Sequence, residues 1–346
     1  MIIRMILRKF ETLHCDARSK INISGPNRCR HMTWTADAKH RERGMPQVKM
    51  NAITKNYELY LLLLPTTLYF IIFYYWPMYG LQIAFKDFIP SLGITGSAWV
   101  GLKHFVQFFD SFYFWTLIKN TIGISLYTLI VAFPIPIVLA LMVNEVSNSK
   151  FKKFVQTVTY APHFISTVVL VSIVILFLSP QTGIVNNVIQ SLGFESVDFL
   201  SRPEWFKSIY VFSGIWQTVG WGSIIYIAAL AGIDPQTHEA AIMDGATRLQ
   251  RIWHINIPGI LPTIVILLIL EVGGIMSVGF EKVYLMQNPL NMEGSDIIQT
   301  YVYRRGIQGA QYSFATAVGL FNACINFVLL FMINRIAKSL KQASLW

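Results

Sequence analysis

Six long apolar stretches constrain what this chain can fold into. They lie at about residues 59–79, 120–143, 164–178, 208–233, 259–280 and 306–334, and the third is the shortest. A helix needs about 20 apolar residues to cross the hydrocarbon core of a bilayer. Within lipid, only helices and closed barrels satisfy all of their backbone hydrogen bonds. The sequence therefore predicts an all-α integral membrane protein with six transmembrane helices.

The distribution of charge divides the chain into two regions. Charged residues make up 13% of the 346 residues, against about 25% in soluble domains. Residues 1–56 alone hold 12 Lys or Arg and 4 Asp or Glu, out of a net charge of +10. Because this stretch is polar and has no helical period, residues 1–54 are interpreted as a basic, disordered tail and residues 55–346 as the transmembrane domain. No nucleic-acid motif accompanies the charge, so nucleic acid is not an expected partner.

Lysine and arginine also predict the orientation in the membrane. With the N-terminus inside, the cytoplasmic segments carry 20 Lys or Arg and the three outer segments carry 8. Cytoplasmic loops are enriched in these two residues. We therefore expect a multi-pass protein of the cell (inner) membrane whose two termini lie in the cytoplasm, with the basic tail close to lipid headgroups.

A polar segment at residues 234–258 separates the fourth and fifth apolar stretches. Asp234-Pro235 is typical of a helix start, since aspartate caps the helix and proline suits its first position. Gly245 predicts a left-handed residue that ends this helix. A second short helix is expected at 247–254. Two short helices that meet at a glycine on the membrane surface form a rigid structure to which a soluble partner can bind.

The chain carries no motif for catalysis or metal binding. It lacks the Gly-x4-Gly-Lys-Ser/Thr loop that cradles phosphates. It also lacks a nucleophile elbow and a zinc-type histidine spacing, and its three cysteines are scattered. The sequence therefore predicts neither an enzyme nor a chain that binds a metal or cofactor of its own.

Six residues of the polar segment stand at a distinctive spacing. They are Glu239, Ala240, Ala241, Gly245, Ile255 and Pro258. This spacing resembles the EAA loop of binding-protein-dependent ABC importer permeases, whose pattern is Glu-Ala-Ala, three residues, Gly, nine residues, Ile, one residue, Leu-Pro. The one departure is Ile257 in place of leucine, an apolar exchange of similar volume.

Four other stretches are similar to the oligosaccharide branch of that family, often called LplB-like. They are Trp99–Phe105, Ala161–Ser166, Gly279–Met286 and Thr300–Arg304. The resemblance implies a type I importer in which this permease pairs with a second, related permease over two ATPase subunits. An extracytoplasmic solute-binding protein would deliver an oligosaccharide or polysaccharide fragment, including acidic ones such as polygalacturonate or alginate. ATP and Mg would be bound by the partner ATPase.

The resemblance also implies which residues meet the ATPase. The candidate docking residues are Glu239, Ala240, Ala241, Asp244, Gly245, Arg248, Ile255 and Pro258. Glu239 would pair with a basic group of the ATPase. The alternative is that Glu239 only complements the helix dipole, which is worth about 0.3–1 kcal/mol. Arg248 and Arg251 would face acidic groups of the partner or lipid phosphates, or only solvent.

Residues within the apolar stretches are candidates for a solute pathway. Glu271 is a carboxylate inside a predicted span, where a charge at mid-bilayer costs roughly 2.5–3.5 kcal/mol. It is expected to line a wet pathway or to hydrogen-bond between helices packed at nearby glycines. On the fourth stretch, Trp216, Gln217, Trp221 and Tyr226 suit sugar binding, with helix packing or interface anchoring as the alternative.

Three basic residues are expected at the outer mouth. Lys282, Arg304 and Arg305 would face the acids of a binding protein, an anionic solute or only solvent.

Two other functional classes compete with the importer permease. One is an ion-gradient-driven secondary transporter or channel in which Glu271 binds a proton or cation. Such proteins usually show inverted repeats and broken helices, and they need no ATPase-docking loop. The other is a membrane-anchored scaffold, which has no use for a carboxylate inside the membrane. The 234–258 segment favours the permease.

Overall fold

The fold is that of a computed structural model that describes residues 57–339. The described part of the chain divides into two units after Pro65. The predicted basic tail, residues 1–54, lies outside the described residues.

Nearly all of the described structure is helical. The α-helices are α1 (Tyr57–Phe70), α2 (Gly93–Gly96), α3 (Lys103–Phe109), α4 (Phe114–Tyr127), α5 (Pro134–Asn144), α6 (Ser149–Tyr160), α7 (Thr167–Leu178), α8 (Ile184–Ser191), α9 (Pro203–Ala231), α10 (Pro235–Met243), α11 (Arg248–Arg251), α12 (Ile257–Gly273), α13 (Phe280–Met286), α14 (Met292–Ser295), α15 (Ile298–Tyr303) and α16 (Tyr312–Ser339). Two short antiparallel strands, β1 (Lys86–Asp87) and β2 (Ala98–Trp99), pair between residues 86 and 99. The prediction of an all-α membrane protein is confirmed.

Within residues 57–339, five helical stretches are long and apolar enough to cross a membrane. They are the first span (Tyr57–Phe85), the second (Phe114–Asn144), the fourth (Pro203–Ala231), the fifth (Arg248–Gly273) and the sixth (Tyr312–Ser339). Between the second and fourth, Ser149–Phe164 and Thr167–Leu178 form a pair bent by 100°, which makes a sixth candidate if the pair is one span. We call this pair the bent third span.

Three of the predicted span boundaries are wrong. The third was placed at 164–178, but α7 begins at Thr167 and has only 12 residues, or about 18 Å of helix, so it is a candidate span only as part of the bent pair. The fifth was placed at 259–280, whereas its helix begins at Arg248 and ends at Gly273. The sixth was placed at 306–334, and its helix runs Tyr312–Ser339. Capping residues and glycines, rather than hydropathy, set these limits.

The two prolines of the second span are accommodated by a change of helix type. A π-helical turn at Thr128–Ala132 precedes α5, and Pro134 then occupies the first turn of α5. Proline is tolerated there because its missing N–H has no partner to lose. The Thr128 hydroxyl donates to the carbonyl of Ile124 at 2.8 Å, which satisfies one backbone acceptor near the distortion.

The fourth span packs against the second, third and fifth spans. Tyr226 and Leu230 on α9 pack with Leu141 of the second span and Ile260 of the fifth in one buried cluster. At Gly220 the fourth span meets the backbone of Thr159 in α6, since a Cβ on Gly220 would lie 2.1 Å from that carbonyl oxygen. The fourth span is therefore the element that positions the others.

The connector at residues 274–311 lies at the opposite end of the fourth span from the 234–258 segment. The Asn291 side chain donates to the carbonyl of Leu200 at 2.8 Å. A Cβ on Gly294 would lie 2.5 Å from the carbonyl oxygen of Pro203, where α9 begins. The 234–258 segment follows the other end of α9, which is 29 residues or about 43 Å away.

Candidate functional site

The 234–258 segment begins with the cap that its sequence predicts. The Asp234 carboxylate accepts a hydrogen bond from the backbone N–H of Gln236 at 3.0 Å, and α10 follows. Gly245 has φ of +77°, the left-handed conformation in which a larger side chain is strained. Both predicted features are confirmed.

The second half of the segment is not the separate short helix that was expected. Thr247 and Gln250 form a capping box, in which the Gln250 side chain accepts from the Thr247 N–H at 2.8 Å. From there α11 continues through a π-helical turn at Ile252–Asn256 into α12. Pro258 does not interrupt this path because it lies in the first turn of α12. A displacement of the segment would therefore pass directly into the fifth span.

The candidate docking residues form an uncovered surface on the described chain. Glu239, Ala240, Asp244, Gly245, Arg248 and Pro258 are exposed, while Ala241 and Ile255 are partly buried. The side chains of Glu239 and Arg248 make no hydrogen bond or ion pair with any residue of 57–339. Beside them, Met243 is 86% exposed and Leu249 and Trp253 are almost as open. An exposed apolar patch with a charged rim is typical of a protein interface.

Arg251 is engaged inside the chain. Its Nη2 lies 3.6 Å from Oε2 of Glu145, the residue that follows α5, and both side chains are largely buried. The buried Asn256 donates to the other Glu145 oxygen at 3.4 Å. This cluster joins the 234–258 segment to the end of the second span. The sequence analysis missed Glu145 and Asn256, because no local pattern indicates that residues so far apart in the chain meet.

Trp216, Gln217 and Tyr226 do not share one site, contrary to expectation. Trp216 lines an apolar groove of about 550 Å³ against α7. The Gln217 amide donates to the carbonyl of Ile165 at 2.9 Å, which satisfies a backbone acceptor at the bend of the third span. Tyr226 is 3% exposed and lies in the core. Tyr226 is therefore a packing residue, as the alternative interpretation expected. Gln217 has a structural role, because it stabilises the bend of the third span.

Trp221 lies on an aromatic surface at the bend of the third span. Its ring stacks on that of His163 with centroids 4.4 Å apart and an angle of 5° between planes, and Phe164 meets it edge-on. Trp221 and Phe164 are 46% and 75% exposed. Ten residues separate Trp221 from the end of α9, so the surface lies about 15 Å from that end, near the middle of the helix. Broken helices near mid-membrane are typical of transport sites.

Glu271 lies at the edge of a small, half-polar cavity. The carboxylate stands two residues before the end of α12, rather than at mid-span as expected. The cavity, of about 180 Å³, is also lined by the hydroxyl-bearing side chains Ser125, Thr128, Tyr210 and Ser277. The Glu271 side chain is exposed and makes no hydrogen bond or ion pair within the described residues.

Close helix packing near Glu271 is provided by a glycine. A Cβ on Gly273 would lie 2.5 Å from Cδ1 of Leu330 in the sixth span. The fifth and sixth spans approach each other here through that glycine, so the packing does not require the carboxylate of Glu271.

Two of the three predicted outer-mouth residues are engaged within the chain. Arg304 donates to both carboxylate oxygens of Asp296, at 3.0 Å to Oδ1. Lys282 is 8% exposed, and its Nζ donates to the carbonyl of Tyr210 at 2.7 Å. Only Arg305 of the three is exposed, with its guanidinium 5.7 Å from the centre of the Tyr301 ring. The expectation of three outward-facing charges is therefore wrong for Arg304 and Lys282.

Comparison with known proteins finds close relatives over most of the chain. The chain is 46% identical over 288 residues to the "Polygalacturonan/rhamnogalacturonan transport system permease protein YteP" of Bacillus subtilis (strain 168), covering 83% of this chain and 90% of that protein. It is 47% identical over 297 residues to "Protein LplB" of the same organism, covering 86% and 93%.

A solved structure has the same fold and a similar sequence. It is a crystal structure of a bacterial alginate ABC transporter in complex with an alginate pentasaccharide-bound periplasmic protein. One of its chains matches with a TM-score of 0.80 and 44% identity, covering 86% of this chain and 99% of that one.

The family assignment rests on more than half of the chain. The sequence profile of the family "Binding-protein-dependent transport system inner membrane component" matches residues 132–342, which include the bent third span, the 234–258 segment and the whole connector. The chain therefore belongs to this family: it is a multi-pass inner-membrane permease, the non-catalytic transmembrane subunit of an ABC importer.

Proposed function

We propose that this permease passes acidic oligosaccharides, fragments of polysaccharides such as polygalacturonan or alginate, into the cytoplasm. The observation that carries the proposal is the exposed 234–258 segment, which is continuous with the fifth span in a chain that has no phosphate-binding loop of its own. A relative named for polygalacturonan and rhamnogalacturonan and a transporter crystallised with alginate support the choice of an acidic sugar.

The proposed assembly contains this chain, a second related permease, two ATPase subunits and an extracytoplasmic binding protein. Both termini and the 234–258 segment lie in the cytoplasm, in agreement with the distribution of lysine and arginine. ATP and Mg are bound by the ATPase subunits. The exposed face from Glu239 to Arg248 contacts those subunits, and Glu239 pairs with a basic group there.

The proposed mechanism converts the closure of the ATPase dimer into a change of access to the sugar. Closure moves the docked 234–258 segment, and the uninterrupted helix from Arg248 carries that displacement into the fifth span. The Glu145–Arg251 ion pair transmits it to the second span. Rigid elements that shift together in this way switch the side to which a cavity opens. The exposed aromatic surface at Trp221 and the cavity at Glu271 line the path of the sugar.

Charge reversal at Glu239 tests the docking role. Glu239→Lys should lose both co-purification with the ATPase subunits and vanadate-sensitive uptake of an acidic oligosaccharide by reconstituted vesicles. The matched control is Glu204→Lys, because Glu204 is also an exposed glutamate in a helix, at the far end of the fourth span. That variant should retain assembly. If Glu239→Lys keeps both assembly and ATP-driven uptake, the segment is not the docking site.

The competing ion-gradient mechanism has its own signature. It rests on Glu271, whose carboxylate is unpaired within residues 57–339 and lines a half-polar cavity. Uptake that persists without ATPase subunits, follows an imposed pH gradient and stops in Glu271→Gln would favour that mechanism over an ATP-driven importer.

A further inference from the structure

Two lysines near the outer end of the fourth span have no carboxylate partner within the described chain. Lys282, on α13 of the connector, is 8% exposed. Lys207, on the fourth span, is partly buried, and its Nζ lies 2.9 Å from where a Cβ of Gly123 would be. The nearest ion pairs of this region join other residues, such as Arg304 with Asp296. A cation withdrawn from water is costly unless it is paired, so the buried Lys282 in particular needs an explanation.

The hydrogen bonding of Lys282 is incomplete. Its ammonium group has three donors, and within the described residues it makes one hydrogen bond, to the carbonyl of Tyr210. The Tyr210 ring lies 4.5 Å from Nζ and adds a cation–π contact. Burial lowers the pKa of Lys282 to about 8, so the amine still carries its charge in most molecules at neutral pH. A charged donor with unfilled positions suits an anionic ligand.

Lys207 and Lys282 converge on one face of the fourth span. Residues 207, 210 and 214 stand at the i, i+3 and i+7 positions of α9, which form a single stripe on a helix. Nζ of Lys282 lies against this stripe, 3.2 Å from where a Cβ of Gly214 would be. Lys207 and Gly214, the position that Nζ of Lys282 approaches, therefore lie on either side of Tyr210 along about 10 Å of helix.

The same tyrosine lines the cavity that contains Glu271. Ser125 and Thr128 add hydroxyl groups to that cavity, and the bare backbone of Gly279 faces the Tyr210 hydroxyl, 3.0 Å from where a Cβ would be. An aromatic ring, hydroxyls and a cation are the groups that bind sugars and their carboxylates. A simple clamp between α13 and the fourth span would account for Lys282 but not for Lys207, which makes no hydrogen bond or ion pair in the described part of the chain.

We propose that Lys207 and Lys282, on either side of Tyr210, form a binding site for the carboxylate groups of an acidic oligosaccharide where it enters the permease from the outer side. The inference rests on the proposed import function and names the chemical group that is recognised: the carboxylate of a uronic acid. Glu271 lines the neighbouring cavity that Tyr210 also lines, where its carboxylate repels a uronic acid and accepts hydrogen bonds from sugar hydroxyls.

Neutral substitutions in the reconstituted complex test this site. Uptake of labelled trigalacturonate and trimannuronate is measured with the binding protein and ATPase subunits present. Lys207→Met and Lys282→Met should each raise the half-saturating concentration about tenfold or more, as expected for the loss of one charge-assisted hydrogen bond. Lys282→Arg keeps the charge, so its half-saturating concentration should stay within about threefold of the wild-type value. ATPase activity and co-purification report whether the complex assembles.

Lys103→Met is the matched control because it also removes one positive charge. Lys103 lies in the outer segment between the first and second spans. Lys103 is exposed and pairs with Asp87 at 2.7 Å, away from Tyr210. It should not change the half-saturating concentration. If both lysine variants behave like Lys103→Met while the wild type imports the acidic sugars, the site is wrong and the proposed function stands.

Two other outcomes are also decisive. If the wild type imports a neutral trisaccharide but neither acidic one, the proposed substrate class fails together with the site. If Lys282→Met does not assemble, Lys207→Met and Lys282→Arg decide. Carboxylate binding is supported if Lys207→Met raises the half-saturating concentration while Lys282→Arg leaves it unchanged. An unchanged half-saturating concentration in Lys207→Met contradicts the proposal.

Discussion

Gly220 shows how much one residue without a side chain contributes to this fold. A Cβ at Gly220 would lie 2.1 Å from the carbonyl oxygen and 2.3 Å from the carbonyl carbon of Thr159. These are backbone atoms, which cannot rotate away, so Gly220→Ala has to separate the fourth span from α6. Overpacking of this kind costs about 1–3 kcal/mol. We expect a lower thermal unfolding temperature of the purified permease, measured by the fluorescence of a thiol-reactive dye or of tryptophan.

Gly319 provides the control for that substitution. It lies inside the sixth span, and a Cβ there would have no atom within 4 Å. Gly319→Ala should leave the unfolding temperature unchanged or raise it, because alanine favours a helix over glycine by up to about 1 kcal/mol. An equal loss of stability in both variants would mean that the contact at Thr159 is not the cause.

At the residue scale, local signals were predicted well and long-range partners were not. The Asp234 cap and the left-handed Gly245 follow from residues next to them in the chain. Gln217, by contrast, was a candidate for sugar binding with helix packing as the alternative, and its amide donates to the carbonyl of Ile165, which lies 52 residues away. Hydropathy and residue type do not reveal such partners, and a buried polar group takes whichever acceptor the fold brings near.

At the scale of elements, the ion pair between Glu145 and Arg251 links the docking surface to the second span. Arg251→Gln would leave the carboxylate of Glu145 largely buried, with only the 3.4 Å contact from Asn256. Because both side chains keep some exposure, we expect a loss of about 1–3 kcal/mol, below that of a fully buried pair. The unfolding temperature should fall by several degrees, and the sugar transported per ATP hydrolysed should decrease while the ATPase subunits remain bound.

The double variant Glu145→Gln with Arg251→Gln distinguishes the ion pair from loss of side-chain packing. Replacing both partners removes the buried unpaired charge, so stability should largely return. Arg305→Gln serves as the control, since Arg305 is exposed and has no carboxylate partner among the described residues. If the double variant is as unstable as Arg251→Gln, the pairing of charges is not what stabilises this junction.

Element boundaries depended on features that hydropathy does not contain. The capping box at Thr247 moves the start of the fifth span back to Arg248, and Gly273-Gly274 end it before the predicted limit of 280. The bend in the third span lies between Phe164 and Thr167, directly after a 3₁₀ turn that contains Pro162, and this break was not predicted from the sequence. Six apolar stretches were enough to predict the membrane fold. Caps, prolines and glycines decided where each helix begins and ends.

For the whole molecule, the two proposed functional surfaces lie at opposite ends of one helix. The docking surface follows the C-terminal end of the fourth span, while Lys207 and the connector lie beside its N-terminal end. An importer requires this separation, because the ATPase works in the cytoplasm and the sugar arrives from outside. The proposed orientation rests on charge: the segments on the cytoplasmic side would carry 20 Lys or Arg, 12 of them in residues 1–56, and the three outer segments 8.

Labelling of single cysteines in intact cells tests that orientation. In a variant whose native cysteines are replaced by serine, Gln236→Cys and Leu290→Cys introduce one thiol each at exposed positions, in the 234–258 segment and in the connector respectively. A maleimide that cannot cross the membrane should label Leu290→Cys in intact cells, and Gln236→Cys only after the membrane is permeabilised. In this test the permease is expressed without its ATPase subunits, so that a docked partner does not shield Gln236→Cys. Labelling of Gln236→Cys in intact cells would place the docking surface outside, where no ATPase can reach it.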